Sequence, residues 1–333
     1  MMYTSFDSIG LLKVLSLLKS HKSEYLSGQD LSDVLKTSRV AVWKYIKKIR
    51  TLGYTIESKQ KRGYRFMKTT EQLLPWEISP GLKTKYIGKR IYYFEEIDST
   101  QNFASQIAQN RKENGAVVIA KKQTDGKGRL KRRWISPKGG IWFSIILHPV
   151  FTIEESMLLP IVASLALSNA IKKTMKIKTN VKWPNDITMD GKKVAGMLID
   201  SSFQSNSIEN MILGIGINYK INPKKLEKKI EKDSNFYGVG TLLNELQNGS
   251  PVRLMNNFMS ELEKNIGKLE NGKKSEIIND WTKNSETINK KVTVNTVNGK
   301  ISGIAQKINS DGTLKIKTKH GTQRIFVGDV TTN

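Results

Sequence analysis

Apolar residues recur along the first part of the chain at helical spacing. Leu11, Leu12, Leu15 and Leu18 share one face of a helix. Ser27 followed by Asp30 has the form of a capping box opening a second helix, with Leu31, Val34 and Leu35 on its buried side. After a short break at Lys36-Thr37, Ser38 is placed to cap a third. There Val42, Ile46 and Ile49 fall on one face at i, i+4 and i+7, and Arg39, Trp43 and Lys47 fall on another. Gly53 supplies its stop. Residues 54–58 and 63–67 then read as two strands around the basic tip Lys59-Gln60-Lys61-Arg62. Three helices, a tight turn and a basic hairpin predict a winged helix-turn-helix domain over 1–68. Its third helix would enter the major groove of DNA, with Ser38, Arg39, Trp43, Lys44 and Lys47 near the bases. Lys59, Lys61 and Arg62 of the wing would meet phosphate. Trp43 is open to two readings, since Trp usually packs in a core but this one stands beside Arg39 and Lys47.

Pro75, Pro80 and Gly81 mark residues 69–84 as a linker. Beyond it the pattern alternates between short apolar runs and helical stretches. Strands are predicted over 91–94, 116–120, 141–147, 193–199 and 212–218, and helices over 100–108, 153–173, 224–233 and 254–268. Pro160 falls early enough in 153–173 to kink or restart that helix. The expectation for 85–287 is an α/β core on a mixed sheet. The last stretch, 288–333, reads as short strands over 291–296, 301–309, 313–318 and 322–327. Asn298-Gly299, Asp311-Gly312 and His320-Gly321 punctuate them, so a small antiparallel barrel is the natural closure. The fold class is therefore α+β.

Charge narrows the partners. Across 333 residues, 55 Lys and Arg stand against 30 Asp and Glu, a net +25. Residues 1–68 hold 14 basic and 5 acidic residues, or +9, about twice the density of the remainder. Such a surface favours polyanions. A general bias toward lysine is the competing explanation. There is no cysteine, which excludes disulfides and thiolate chemistry, and three scattered histidines make no zinc cluster. Residues 1–10 do not resemble a secretory signal and no apolar run is long enough to span a membrane, so a cytoplasmic protein is the default.

The candidate chemistry lies between the core strands. Residues 123–140 hold four glycines and six basic residues between two buried strands. Gly126 and Gly128 would let the backbone approach a ligand, with free N–H groups joined by Lys127 and Arg129 to hold an anion such as phosphate. The spacing is neither that of a P-loop nor that of a dinucleotide fingerprint. Asp98-Ser99-Thr100 puts hydroxyls at a strand-to-helix corner, where they serve a ligand or simply cap the helix. Lys182-Trp183-Pro184-Asn185-Asp186 ends a strand in a polar cluster. Lys193, at the start of a buried strand, is edge protection or a pocket cation. Gly214 and Gly216 alternate along another strand and leave room on one face.

Together these motifs resemble the bifunctional biotin protein ligases, also called biotin operon repressors, over nearly the full length. Asp98-Ser99-Thr100 resembles the family's biotin-contacting corner, and 123–137 resembles the Gly-Arg-Gly-Arg loop that orders over biotinyl-adenylate. Lys182 to Asp186 matches Lys-Trp-Pro-Asn-Asp. Lys193 with Gly196 matches Lys-x-x-Gly, and Gly214 to Asn218 matches Gly-x-Gly-x-Asn. Residues 38–42 resemble the start of the repressor's recognition helix. The chain departs at Lys127, where Arg is usual, at Lys131, where Gly is usual, and in a C-terminal tail that keeps Gly328-Asp329 without a following arginine. The resemblance implies a winged helix, a biotin/lipoate-type ligase core and an SH3-like C-terminal barrel. It also implies ATP and biotin as substrates, with Mg²⁺ held mainly through phosphates. In this scheme Lys193, Arg129 and Asp186 are catalytic. Ser99, Thr100, Gln101 and Gln123 hydrogen-bond biotin. Gly126, Lys127, Gly128 and Gly196 line the adenylate, Trp134 shields it, and Asn185, Asp186 and Asn218 face nucleotide and metal. Implied partners are a biotin carboxyl carrier domain, operator DNA and a second copy in a ligand-promoted homodimer. A lipoate ligase, a non-enzymatic biotin sensor, and a ligase whose winged helix no longer binds an operator are the alternatives.

Overall fold

The computed structural model describes residues 2–3, 9–204, 207–230, 237–244, 246–296 and 299–332. The chain divides into two compact units, Tyr3–Leu74 and, apart from the first two residues, Pro75–Asn333.

After a two-residue strand β1 (Met2–Tyr3), the smaller unit consists of α1 (Ile9–Ser20), α2 (Gly28–Leu35), α3 (Arg39–Thr51) and a hairpin of β2 (Thr55–Lys59) and β3 (Gly63–Lys68). The capping box forms in full: Ser27 accepts from the Asp30 N–H, and Asp30 accepts from the Ser27 N–H. Ser38 likewise accepts from the Ala41 N–H, so its hydroxyl is spent on the cap. Val42, Ile46 and Ile49 are buried as the spacing requires. Val34 is not: it is 65% exposed, because α2 buries the face carrying Leu31 and Ser32, and Val34 lies nearly opposite Ser32 on a helix of 3.6 residues per turn. Trp43 points outward, 52% exposed, with the Lys47 ammonium 5.3 Å from its ring centre. Arg50 ties α3 to the wing by donating to the Ile56 carbonyl at 2.8 and 3.1 Å.

The stretch read as a linker carries a short helix, α4 (Pro75–Ile78), with Leu73, Leu74 and Ile78 buried. Beyond it, β4 (Ile91–Phe94), α5 (Thr100–Ile107), β5 (Val117–Ala120), β6 (Ile141–Leu147), α6 (Ile153–Ser156) and α7 (Leu159–Met175) follow. Pro160 falls in the first turn of α7, where a missing N–H costs nothing, so it restarts the helix. Strands β7 (Asn180–Lys182), β8 (Asp186–Met189), β9 (Lys192–Gln204) and β10 (Ser207–Ile217) complete a sheet in the order β1-β4-β5-β6-β10-β9-β8-β7. The sheet is mixed: β4 and β5 pair in parallel, and from β5 onward neighbours are antiparallel. Helix α8 (Pro223–Glu227) follows; the predicted continuation over 231–233 lies outside the described residues. α9 (Pro251–Glu270) and α10 (Lys274–Lys283) pack with α7. Glu263 of α9 pins the chain entering the core by accepting the N–H groups of Lys85, Tyr86 and Ile87 at 2.5, 3.0 and 3.0 Å. Among the described residues, no helix is long and apolar enough to cross a membrane.

The C-terminal strands are β11 (Lys291–Thr296), β12 (Gly299–Ile308), β13 (Leu314–Thr318), β14 (Gly321–Ile325) and β15 (Asp329–Thr332), in the order β14-β13-β12-β11-β15. The predicted turn residue Asn298 lies outside the described residues. The expected barrel does not close. Its terminal strands β14 and β15 each pair on one side only, and β15, which the pattern did not indicate, takes the free edge of β11 instead.

Candidate active site

A cavity of about 230 Å³ opens over the middle of the large sheet. Its floor is β10 beside β9. Its walls are the start of α5, the loop after β5, the 182–186 corner and residues 237–239, and Asp329 and Val330 reach its rim.

One end is polar without formal charge. Ser99 caps α5, accepting from the Gln101 N–H, and is fully buried. Thr100 donates its N–H to Gln123 Oε1 at 2.8 Å, and its hydroxyl lies 2.9 Å from the Ser144 hydroxyl and 3.1 Å from Gln123 Oε1. Ser144 donates to Gln101 Oε1, and the Gln101 amide nitrogen donates to Asp200 Oδ2 and the Ile212 carbonyl. The Gln101 amide is therefore already committed to the protein, which makes it a brace for Ser144. Ser144 and Asp200 were missed from sequence, since an isolated serine or aspartate in a strand carries no spacing signal.

The other end is cationic. The Lys193 ammonium sits 2.6 Å from Asp186 Oδ1 and 5.2 Å from the centre of the Trp134 ring, so this lysine is a pocket cation and not edge protection. Arg129 donates to Asn185 Oδ1 at 2.8 Å, lies 3.7 Å from Asp329 Oδ1, and shares that carboxylate with Arg132 at 2.7 Å. Burial pulls the Arg129 guanidinium below its ordinary pKa, against the pull of Asp329 and Asp186. Lys182, only 3% exposed, is likewise pulled down by burial, with Glu286 and Asp186 opposing. Tyr237 donates to Asp186 Oδ2 at 2.6 Å, and burial together with the Asp186 charge drives its phenol well above the ordinary value. Neither Tyr237 nor Arg132 was singled out from the sequence.

The glycine-rich loop differs from expectation in two ways. Some of its backbone donors are used: Thr124 N–H bonds to Ile97, Asp125 N–H to Asp98, Gly128 N–H to the Arg132 carbonyl and Trp134 N–H to Gly126. The loop folds into its own small hairpin, with Lys127, Arg129, Arg132 and Arg133 lining the cavity. Lys127 lines the cavity from an exposed position. Leu130 and Lys131 both adopt left-handed backbone, φ 54° and 59°, where a residue with a Cβ costs about 1–2 kcal/mol each. The usual Gly at 131 is thus replaced at a position where Gly alone would be unstrained. The room over the β10 glycines is also taken. A Cβ on Gly216 would meet Trp134 Nε1 at 2.3 Å, one on Gly214 would meet Gln101 Oε1 at 2.5 Å, and one on Gly196 would meet Lys193 Cε at 2.9 Å. Gly126 sits equally close to the Trp134 carbonyl. The glycines seat the indole and the Gln101 amide against the sheet.

Asn218, next to this floor, donates to the Lys193 carbonyl at 3.3 Å, and its buried Oδ1 has no hydrogen-bond partner. An orphaned amide oxygen in the cavity lining suits a hard divalent cation. Among the described residues no group of three or more His, Cys, Asp or Glu that could hold a metal ion is assembled.

The chain is similar to known proteins over each of its three regions. Residues 93–218 match the Biotin/lipoate A/B protein ligase family, residues 11–65 an HTH domain, and residues 287–331 the Biotin protein ligase C terminal domain. The Bifunctional ligase/repressor BirA of Bacillus subtilis is 32% identical over 320 residues, covering 95% of this chain and 97% of that protein. Its Escherichia coli namesake is 26% identical, covering 93% of each. Among solved structures, the biotin protein ligase from Aquifex aeolicus in complex with biotin and ATP superposes with a TM-score of 0.59 at 26% identity. It covers 73% of this chain and 98% of that one.

Proposed function

The chain belongs to the bifunctional ligase/repressor family of biotin protein ligases, and from that premise we propose that it attaches biotin to a lysine of a carboxyl carrier domain in an ATP-dependent reaction. The observation that carries the assignment is one cavity with a neutral hydrogen-bonding end built on Thr100, Gln123 and Ser144 and a cationic end built on Lys193 and Arg129. The first suits biotin's ureido ring, and the second suits its carboxylate together with the α-phosphate of ATP.

In the first half-reaction a biotin carboxylate oxygen attacks the α-phosphorus, the bond to the bridging oxygen breaks, and pyrophosphate leaves. Lys193, within reach of both anions, offsets their repulsion and the charge that builds on the α-phosphate. Arg129 clamps the resulting adenylate, oriented by Asn185 and Asp329, with Lys127 assisting as a point charge in place of a planar fork. Trp134, seated on Gly216, shields the mixed anhydride from water. In the second half-reaction the neutral amine of the acceptor lysine attacks the biotinyl carbonyl, the carbon–oxygen bond to AMP breaks, AMP leaves, and the nitrogen gives up one proton to solvent. Asp186 orients the ligand and accepts hydrogen bonds near the incoming amine. Asn218 Oδ1, with the nucleotide phosphates, would hold Mg²⁺, which neutralises phosphate charge.

The smaller unit is read as a DNA-binding domain for a two-fold symmetric operator, its recognition helix presenting Arg39, Trp43, Lys44 and Lys47 and its wing Lys59, Lys61 and Arg62. Ligand-promoted dimerisation and a cytoplasmic site of action complete the reading. Lys182-Trp183-Pro184-Asn185-Asp186 beside a winged helix argues against a lipoate ligase. Lys193 and Arg129 in the cavity argue against a mere sensor. Incubation with ATP, Mg²⁺, biotin and a carrier domain should biotinylate one acceptor lysine and release AMP; an acceptor left unmodified would refute the assignment.

A further inference from the structure

We propose that Tyr237 is a positioning residue of the ligase reaction, its phenol fixing the Asp186 carboxylate and, through it, the Lys193 ammonium. The inference rests on the role given to Lys193 above. Tyr237 donates to Asp186 Oδ2 at 2.6 Å while Lys193 holds Oδ1 at 2.6 Å. With the phenol hydrogen-bonded to one oxygen and the ammonium ion-paired with the other, the plane of the carboxylate is set. The ring is fixed in turn, because the nearly buried Lys182 ammonium lies 3.4 Å from its centre, a cation–π contact shielded from water. The backbone after the ring grips Lys193 directly: the Lys193 N–H donates to the Gly238 carbonyl at 3.1 Å, and the Gly240 N–H donates to the Lys193 carbonyl at 2.8 Å. Tyr237 therefore travels with the main chain of the lysine whose side chain it positions. A tyrosine kept for packing alone would need no hydroxyl directed at a charged group in the cavity wall.

When Lys193 turns toward the two substrate anions it leaves Oδ1. The Tyr237 hydrogen bond then keeps Asp186 in place, so the ammonium has a fixed point to leave and return to. The test is Tyr237→Phe, which keeps the ring over Lys182 and removes one hydroxyl. Biotin-dependent pyrophosphate release should show kcat reduced about tenfold, the effect of losing one hydrogen bond to a charged group, with KM for biotin and for ATP each within about twofold. In an Asp186→Ala background, which removes the acceptor, the same change should add less than about twofold, since the phenol acts through that carboxylate. Unchanged kcat, a loss carried by KM alone, or an undiminished tenfold loss in the Asp186→Ala background would overturn the role of Tyr237 while leaving the ligase reading intact. A wild-type protein that releases no pyrophosphate would overturn both together.

Discussion

Replacing Lys193 with Ala should leave the fold intact and nearly abolish adenylate formation. The structural cost is moderate. The Lys193 side chain is 28% exposed and that of Asp186 15%, so their ion pair is partly buried. Asp186 keeps Tyr237 as a donor on Oδ2, while Oδ1 loses its cation, at a cost of about 1–3 kcal/mol. The catalytic cost is large on the proposed mechanism, in which Lys193 is the cation between the two anions that must meet. Removing one such preorganised contact costs on the order of 3 kcal/mol in the barrier, about a hundredfold in rate. Lys193→Met, which keeps the stem against Gly196, separates charge from packing and should be as slow as Ala. Pyrophosphate release in a single turnover, with thermal unfolding of both variants alongside, measures the two costs separately. Turnover within about threefold of wild type, or a collapse in stability matching the loss of rate, would refute the reasoning.

Three further outcomes follow from the same geometry. Arg129→Gly should open the clamp, so that biotinyl-AMP escapes and bystander lysines become biotinylated; Asp329→Ala, which frees Arg129 and Arg132 from their shared carboxylate, should raise the adenylate off-rate less. Gly216→Ala forces a Cβ to 2.3 Å from Trp134 Nε1 and should destabilise the protein by about 1–3 kcal/mol, read by chemical denaturation, and weaken ATP binding as the indole is displaced. Footprinting should show protection of a two-fold symmetric site that strengthens with biotin and ATP and falls steeply with salt; equal, sequence-independent protection with and without ligand would mean that the winged helix is no ligand-gated repressor.

Element identity was largely legible because local chemistry decided it. The capping box at Ser27 and the cap at Ser38 act within one turn of helix and formed as read, and of the two courses left open at Pro160, kink or restart, the helix took the restart. Val34 was misplaced because an eight-residue helix offers too few turns to locate the centre of its buried face. The closed barrel failed for a different reason. Strand-forming runs are visible in sequence, but whether the two end strands meet depends on where β15 pairs. Within the site, contiguous motifs such as Lys182 to Asp186 stood out, whereas partners distant in sequence did not. Tyr237 meets Asp186 across 51 residues, and Arg129 reaches the Gly328 carbonyl across 199. The alternating glycines disclosed a gap over β10 but not its occupants, Trp134 and Gln101, which come from other elements.

The central claim is that this cavity joins biotin to AMP, and biotin-dependent exchange of labelled pyrophosphate into ATP tests it most directly, with no acceptor present. The account predicts exchange that requires biotin and Mg²⁺ and falls about a hundredfold in Lys193→Ala. Tight biotin binding without any exchange would contradict it and leave a sensor in place of a ligase.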